Sequence, residues 1–274
     1  MKTLKIKEKQ KKIAEIGSIL IGISIILISG LFLWNQPIFE DLVFLTFTFM
    51  LLPITIVEYL DYRWRKAIDQ HLPDLFRSIV QAQQTGMTLP QAIEEAAKRD
   101  YGALTAELRK MNTQISWGIS FEEALQSLGR RVNTVLIQRT IPLVIEASRS
   151  GGKVEKVFDP MGKFVQTTLL LEKERKTQTR PYIAIIYVAF YVFLFTIILL
   201  FNSFFVQASE LPPAMGKITL TPEEAKRIFF HMTTIQAFFG GLIAGKMGEG
   251  SIKAGLKHSI ILLITGYIGL RIFL

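Results

Sequence analysis

The 274-residue chain is half apolar and carries 32 Lys and Arg against 23 Asp and Glu, a formal charge of +9. It has no cysteine, which excludes disulfides, thiolate nucleophiles and cysteine-based zinc sites. Apolar residues gather near both ends and charges between Glu58 and Arg180, the layout of membrane spans flanking a polar domain.

At the start, Lys2, Lys5, Lys7, Lys9, Lys11 and Lys12 stand against only Glu8 and Glu15. They precede an apolar run immediately, so membrane orientation and anionic lipid account for them. No zinc-finger, aromatic RNA-binding or basic-zipper pattern accompanies the cluster, and nucleic acid is not an expected partner. A helix needs about 20 apolar residues to cross the hydrocarbon. Residues 16–34 and 38–57 qualify, separated by Asn35-Gln36-Pro37, with Glu40 and Asp41 just beyond. The first run is longer than a signal-peptide core and no small-residue cleavage pattern follows it, so it reads as a retained span.

Residues 58–181 read as a helical bundle. Leu72, Leu75, Phe76, Ile79 and Val80 recur at helical spacing after Pro73, a residue suited to a first turn. Leu104, Leu108, Met111 and Ile115 trace a later helix, and Val154, Val157, Phe158, Met161, Phe164 and Val165 another. Two turns repeat: Gly86-Met87-Thr88-Leu89 and Gly118-Ile119-Ser120-Phe121. In each, a Gly closes one helix and a hydroxyl caps the next, with Gln91 and Glu123 in capping-box position. Gly151-Gly152 suggests a third turn, and the whole predicts antiparallel helices alternating long and short. No break separates the second span from Glu58, Tyr59 and Asp61, nor Leu169 from Arg180, which predicts stiff links unless Pro181 forms a hinge.

Residues 182–206 form the strongest apolar run. Residues 228–245 are weaker, interrupted by His231, Thr233, Thr234 and Gln236, and residues 259–274 close the chain. Polar groups in such a span favour interhelical hydrogen bonds. Gly241 and Gly245 stand in GxxxG spacing, followed by Gly248, Gly250 and Gly255, and are candidates for close helix packing, within the chain or between subunits. The expected fold is an all-α integral membrane protein with about five transmembrane helices and a helical bundle inserted between spans two and three. The expected parts are residues 1–57, 58–181 and 182–274, the last with a short outer loop at 207–227. Lys and Arg placement, including Lys246, Lys253 and Lys257, puts the N-terminus and the bundle inside and the C-terminus outside. Lys226 and Arg227 on the outer side count against this scheme.

Enzyme chemistry is not expected. There is no phosphate-binding Gly loop, GxSxG elbow, HExxH helix or dinucleotide fingerprint. His71, His231 and His258 are scattered without carboxylates at ligand spacing, so neither a metal nor another cofactor is expected. The adjacent pairs Glu94-Glu95, Glu122-Glu123 and Glu223-Glu224 read as caps or surface charge.

His71-Leu72-Pro73-Asp74-Leu75, the two Gly turns, Glu146-Ala147-Ser148-Arg149-Ser150-Gly151-Gly152 and Gly245-Lys246-Met247-Gly248-Glu249-Gly250-Ser251 occur in an order that resembles a known family. It is the type II secretion F-domain family, the membrane platforms of type II secretion, type IV pilus, archaellum and tight-adherence machines. The resemblance implies a non-enzymatic scaffold in the cytoplasmic membrane, whose bundle engages a ring-shaped secretion ATPase and serves pilin-like subunits. On that reading Arg130, Arg131, Glu146 and Arg149 are candidate ATPase contacts. Many relatives carry two copies of the domain and this chain has one, so it would pair with itself or with a paralogous subunit. An alternative is the membrane-coupling subunit of an ATP-driven transporter, against which stands the size of the polar domain.

Overall fold

The computed structural model describes residues 8–34, 36, 38–149, 155–205 and 221–274. Among these the regular structure is entirely helical, as the apolar periodicity predicts. The helices are α1 (Glu8–Leu33), α2 (Ile38–Gln84), α3 (Leu89–Lys98), α4 (Ala103–Ser116), α5 (Phe121–Val132) and α6 (Val135–Arg149). Then come α7 (Glu155–Leu200), one π-helical turn (Phe201–Phe205), α8 (Pro222–Glu249) and α9 (Ile252–Phe273). The predicted turn at Gly151-Gly152, the first lysines of the basic cluster and residues 206–220 of the outer loop lie outside the described residues.

The chain divides into two compact units, one containing Leu60–Arg175 and the other Lys7–Tyr59 with Lys176–Leu274. α1, α2, α7, α8 and α9 are each long and apolar enough to cross a membrane, matching the expected five.

The first unit is a bundle with one apolar core. Ile68, Leu104, Met111, Ala124, Val132 and Val165 are fully enclosed in it. Its two repeated turns are built alike. The Met87 N–H reaches back to the Ala82 carbonyl and that of Gly86 to Gln83; the Ile119 N–H reaches Gln114 and that of Gly118 reaches Ile115. Both are Schellman closures, which need a left-handed residue. Gly86 and Gly118 supply it at φ +90° and +83°. The caps share the load differently. At α3 the Thr88 N–H donates to Gln91 Oε1 at 2.9 Å, whereas at α5 the Glu123 N–H donates to Ser120 Oγ at 3.2 Å.

Pro73 is not in a first turn. It lies well inside α2, which runs unbroken from Ile38 to Gln84. An interior proline costs about 3 kcal/mol. Each of Leu72, Phe76 and Ile79 is almost fully enclosed, and burying such a side chain returns about 1.5–3 kcal/mol. Packing therefore overrides the local breaker. Pro181 also lies inside α7, and no helix break occurs there.

In the second unit the core joins Phe44 and Leu51 of α2, Phe190, Leu194 and Ile197 of α7, Ala237 of α8 and Ile260, Leu262 and Leu263 of α9. Phe44 stacks on Tyr267 at 4.8 Å between ring centres and meets Phe230 edge-on. α8 begins at Pro222, inside the expected outer loop, because Thr221 caps it and its own N–H donates to Glu224 Oε2 at 2.9 Å.

Candidate functional site

The candidate site is the α4–α5–α6 side of the bundle, where the charged candidates lie. α4 presents an apolar stripe, Leu104, Leu108 and Met111, and Glu107 sits on that same stripe. Its side chain is 1% exposed, and a carboxylate there needs partners. Arg131 Nε of α5 reaches it at 2.8 Å and Lys110 Nζ at 3.0 Å. Arg131 Nη1 also donates to Ser127 Oγ at 2.7 Å, and Gln114 Nε2 donates to the same hydroxyl at 3.3 Å. Arg131 thus ties α4 to α5 from within.

A second clamp holds the α5–α6 corner. Asn133 adopts φ +49° to end α5, and Arg65 Nη1 of α2 donates to the carbonyls of Val132 and Asn133 at 2.9 and 2.5 Å. One turn further along α2, Asp69 Oδ1 accepts the Thr134 hydroxyl at 2.6 Å, while that hydroxyl accepts the Ile137 N–H and caps α6. Burial, and then the nearby Glu172 carboxylate, push Asp69 up to about 6 against the pull of Thr134 and Arg65.

Of the four charged candidates, Arg130, Glu146 and Arg149 are exposed and Arg131 is half-buried. Arg149 of α6 lies 3.4 Å from Glu122 of α5. Glu122 and Arg130 are eight residues apart on α5, or about 12 Å along its axis, so the structure spreads these charges along two helices instead of gathering them. Glu107, Arg65 and Asp69 were not singled out by sequence. For Glu107 a signal existed, a lone acid at stripe spacing between Leu104 and Met111.

In the second unit, Gly241 and Gly245 lie in the α8–α9 seam of this one chain. A Cβ on Gly241 would overlap the Ser259 backbone, and one on Gly245 the Gly255 backbone. A Cβ on Gly255 would come within 2.7 Å of Leu242 Cα. Ser259, fully enclosed, donates from Oγ to the Phe238 carbonyl at 2.7 Å. At one end of the unit a cleft of about 940 Å³ opens between α1, α2, α8 and α9. Phe44, Phe47 and Phe230 line it, and its rim carries the pairs Arg227–Glu40 at 2.5 Å and Arg271–Asp41 at 3.2 Å. Arg227, which ran against the charge scheme, is thus paired with Glu40. His231 Nε2 lies 3.9 Å from Glu40, a carboxylate far away in the chain, whereas in the other unit His71 Nδ1 lies 3.9 Å from Asp74, three residues on along the same helix and visible in the sequence.

Comparison with known proteins gives two findings. Residues 75–201 match the family described as type II secretion system protein F. An uncharacterized protein of Methanocaldococcus jannaschii is 27% identical over 251 residues, covering 89% of this chain and 41% of the relative. The chain thus spans about two fifths of that relative's length. No solved structure matches. The matched stretch takes in α3 to α6, the last part of α2 and α7 through its apolar run. Over residues 75–201, this multi-pass membrane protein is similar to the type II secretion system protein F family.

Proposed function

We propose that the chain is the platform subunit of a type IV pilus-like, archaellum-like or type II secretion assembly machine in the cytoplasmic membrane. In this role the bundle lies in the cytosol and couples a secretion-type ATPase to the insertion of pilin-like subunits into a filament. The observation that carries the reading is the similarity to protein F over residues 75–201 in a chain with five helices apolar enough to cross a membrane. The exposed Arg130 and Arg149 are the cations offered to the ATPase. Arg131 is committed to Glu107 and serves the bundle itself. Exposed charges of this kind act through long-range complementarity with an acidic partner more than through any single pair.

Co-purification from detergent-solubilised membranes tests the proposal. The parent chain recovers a secretion-type ATPase and pilin-like proteins. Arg130→Glu with Arg149→Glu loses the ATPase while the pilin-like proteins stay. Recovery of transporter-type nucleotide-binding subunits in their place overturns the platform role, and an undiminished ATPase yield from the double variant overturns the contact assignment.

A further inference from the structure

The cleft at one end of the second unit has the depth of a single membrane leaflet. α1 and α9 finish at this end while α2 and α8 begin there, so its mouth lies at the helix ends. Inward it reaches Phe47, nine residues past Ile38 of α2, and Thr234, twelve past Pro222 of α8, or about 14–18 Å along the axes. One leaflet of hydrocarbon is about 15 Å thick. Deeper along α8 the side toward α9 is closed, because the two backbones meet at Gly241 and Ser259. A partner's transmembrane helix needs a groove about 30 Å long, roughly twice what the cleft offers. A ligand that enters from one leaflet fits, and a cleft of about 940 Å³ is roomy for a ligand site.

The lining changes character with depth. Ile26, Phe44, Phe47 and Phe230 form the inner part. At the mouth, Lys226, Arg227 and Arg271 stand beside Glu40, Asp41 and Glu223, so both signs are offered together. Trp34 lies there against Phe39 at 5.6 Å between ring centres, the place an indole takes at a membrane surface. Glu40 and Asp41 are the deeper charges, 22% and 24% exposed against 66% and 61% for Arg227 and Arg271. We propose that the cleft holds one phospholipid whose zwitterionic head carries a primary ammonium, with its acyl chain against the phenylalanines. The phosphate takes N–H donors from Arg227 and Arg271, because a guanidinium has more donors than one carboxylate uses. The ammonium donates to Glu40 and Asp41, whose oxygens accept several hydrogen bonds each. An anionic head without the ammonium meets these carboxylates as like charges, and a quaternary ammonium has no N–H to give them. The site requires only that the helices stand in a bilayer, so it is independent of the platform role.

Native mass spectrometry tests it on the full-length chain, purified in detergent and incubated with one dioleoyl phospholipid at a time. The parent retains one phosphatidylethanolamine per chain, and phosphatidylcholine or phosphatidylglycerol at least about fivefold less. Arg227→Ala with Arg271→Ala, both on exposed side chains, lowers phosphatidylethanolamine retention at least about tenfold, the worth of one charge-assisted hydrogen bond. Val43→Trp sets an indole into the cleft and abolishes retention of all three lipids. Leu45→Trp, on the exposed side of the same helix and off the cleft lining, keeps the parental value. Helical content by circular dichroism is the same in every variant. A parent that holds no lipid, equal retention of the three lipids, or parental retention in Val43→Trp or in the arginine variant overturns the proposal. A benzophenone side chain at position 43 that captures a protein instead of lipid in native membranes assigns the cleft to that protein and overturns it as well.

Discussion

Removing Arg131 takes from the enclosed Glu107 its partner at 2.8 Å and leaves Lys110 at 3.0 Å. Loss of one partner from a buried pair costs about 3–5 kcal/mol. Arg131 is 23% exposed and Lys110 stays at 3.0 Å, so Arg131→Ala falls below that range, at about 2–3 kcal/mol. Glu107→Leu with Arg131→Met removes both charges and keeps the volume filled, and such replacements run near neutral, within about 1 kcal/mol. Hydrogen–deuterium exchange of the full chain in detergent reads both outcomes on peptides covering α4 and α5. With tenfold for each 1.4 kcal/mol, Arg131→Ala speeds exchange there roughly 30- to 150-fold. The double variant stays within about fivefold of the parent. Parental exchange in Arg131→Ala, or a double variant as labile as the single one, refutes the pairing. The same numbers separate two roles, since a binding defect in Arg131→Ala follows from a loosened bundle.

Asp69 gives a pH dependence of known sign. Its folded value near 6 lies above the ordinary 3.8, so the folded bundle holds the proton more tightly and loses stability as pH rises between those values. Asp69→Asn keeps an acceptor for Thr134, raises stability at pH 7 by at most about 3 kcal/mol and flattens the profile from pH 4 to 7, read by thermal unfolding. Gly245→Ala forces its Cβ into the Gly255 backbone and costs about 3 kcal/mol or more, seen as loss of thermal stability in detergent. Gly17→Ala meets nothing within 4 Å and is neutral or stabilising by up to about 1 kcal/mol in the same assay. Gly118→Ala, with open space but φ +83°, costs about 1–2 kcal/mol from backbone strain alone in the same melting measurement.

Helix content, the five apolar helices and the two repeated turns were legible because each rests on a local rule: run length, periodicity, or a left-handed Gly before a hydroxyl cap. Pro73 misled for the same reason, since local proline chemistry says nothing of the Leu72, Phe76 and Ile79 burial alongside which α2 runs unbroken. Arg131 looked like free surface charge because its partner is 24 residues away and on another helix. Glu107 was readable from its own stripe, where an acid among Leu104, Leu108 and Met111 demands a buried cation. The pairs of Glu40 with Arg227 and Asp41 with Arg271 join residues far apart in the chain, beyond any local pattern.

The glycine seam between α8 and α9 has a mechanical consequence. Where Gly241, Gly245 and Gly255 bring the two backbones together, few side-chain rotamers are left to rearrange, so small repacking steps have no foothold. The two helices shift as one piece or not at all. Any sliding within the membrane unit falls instead on the faces toward α2 and α7, where Phe44, Phe190 and Leu194 offer larger, rotatable side chains.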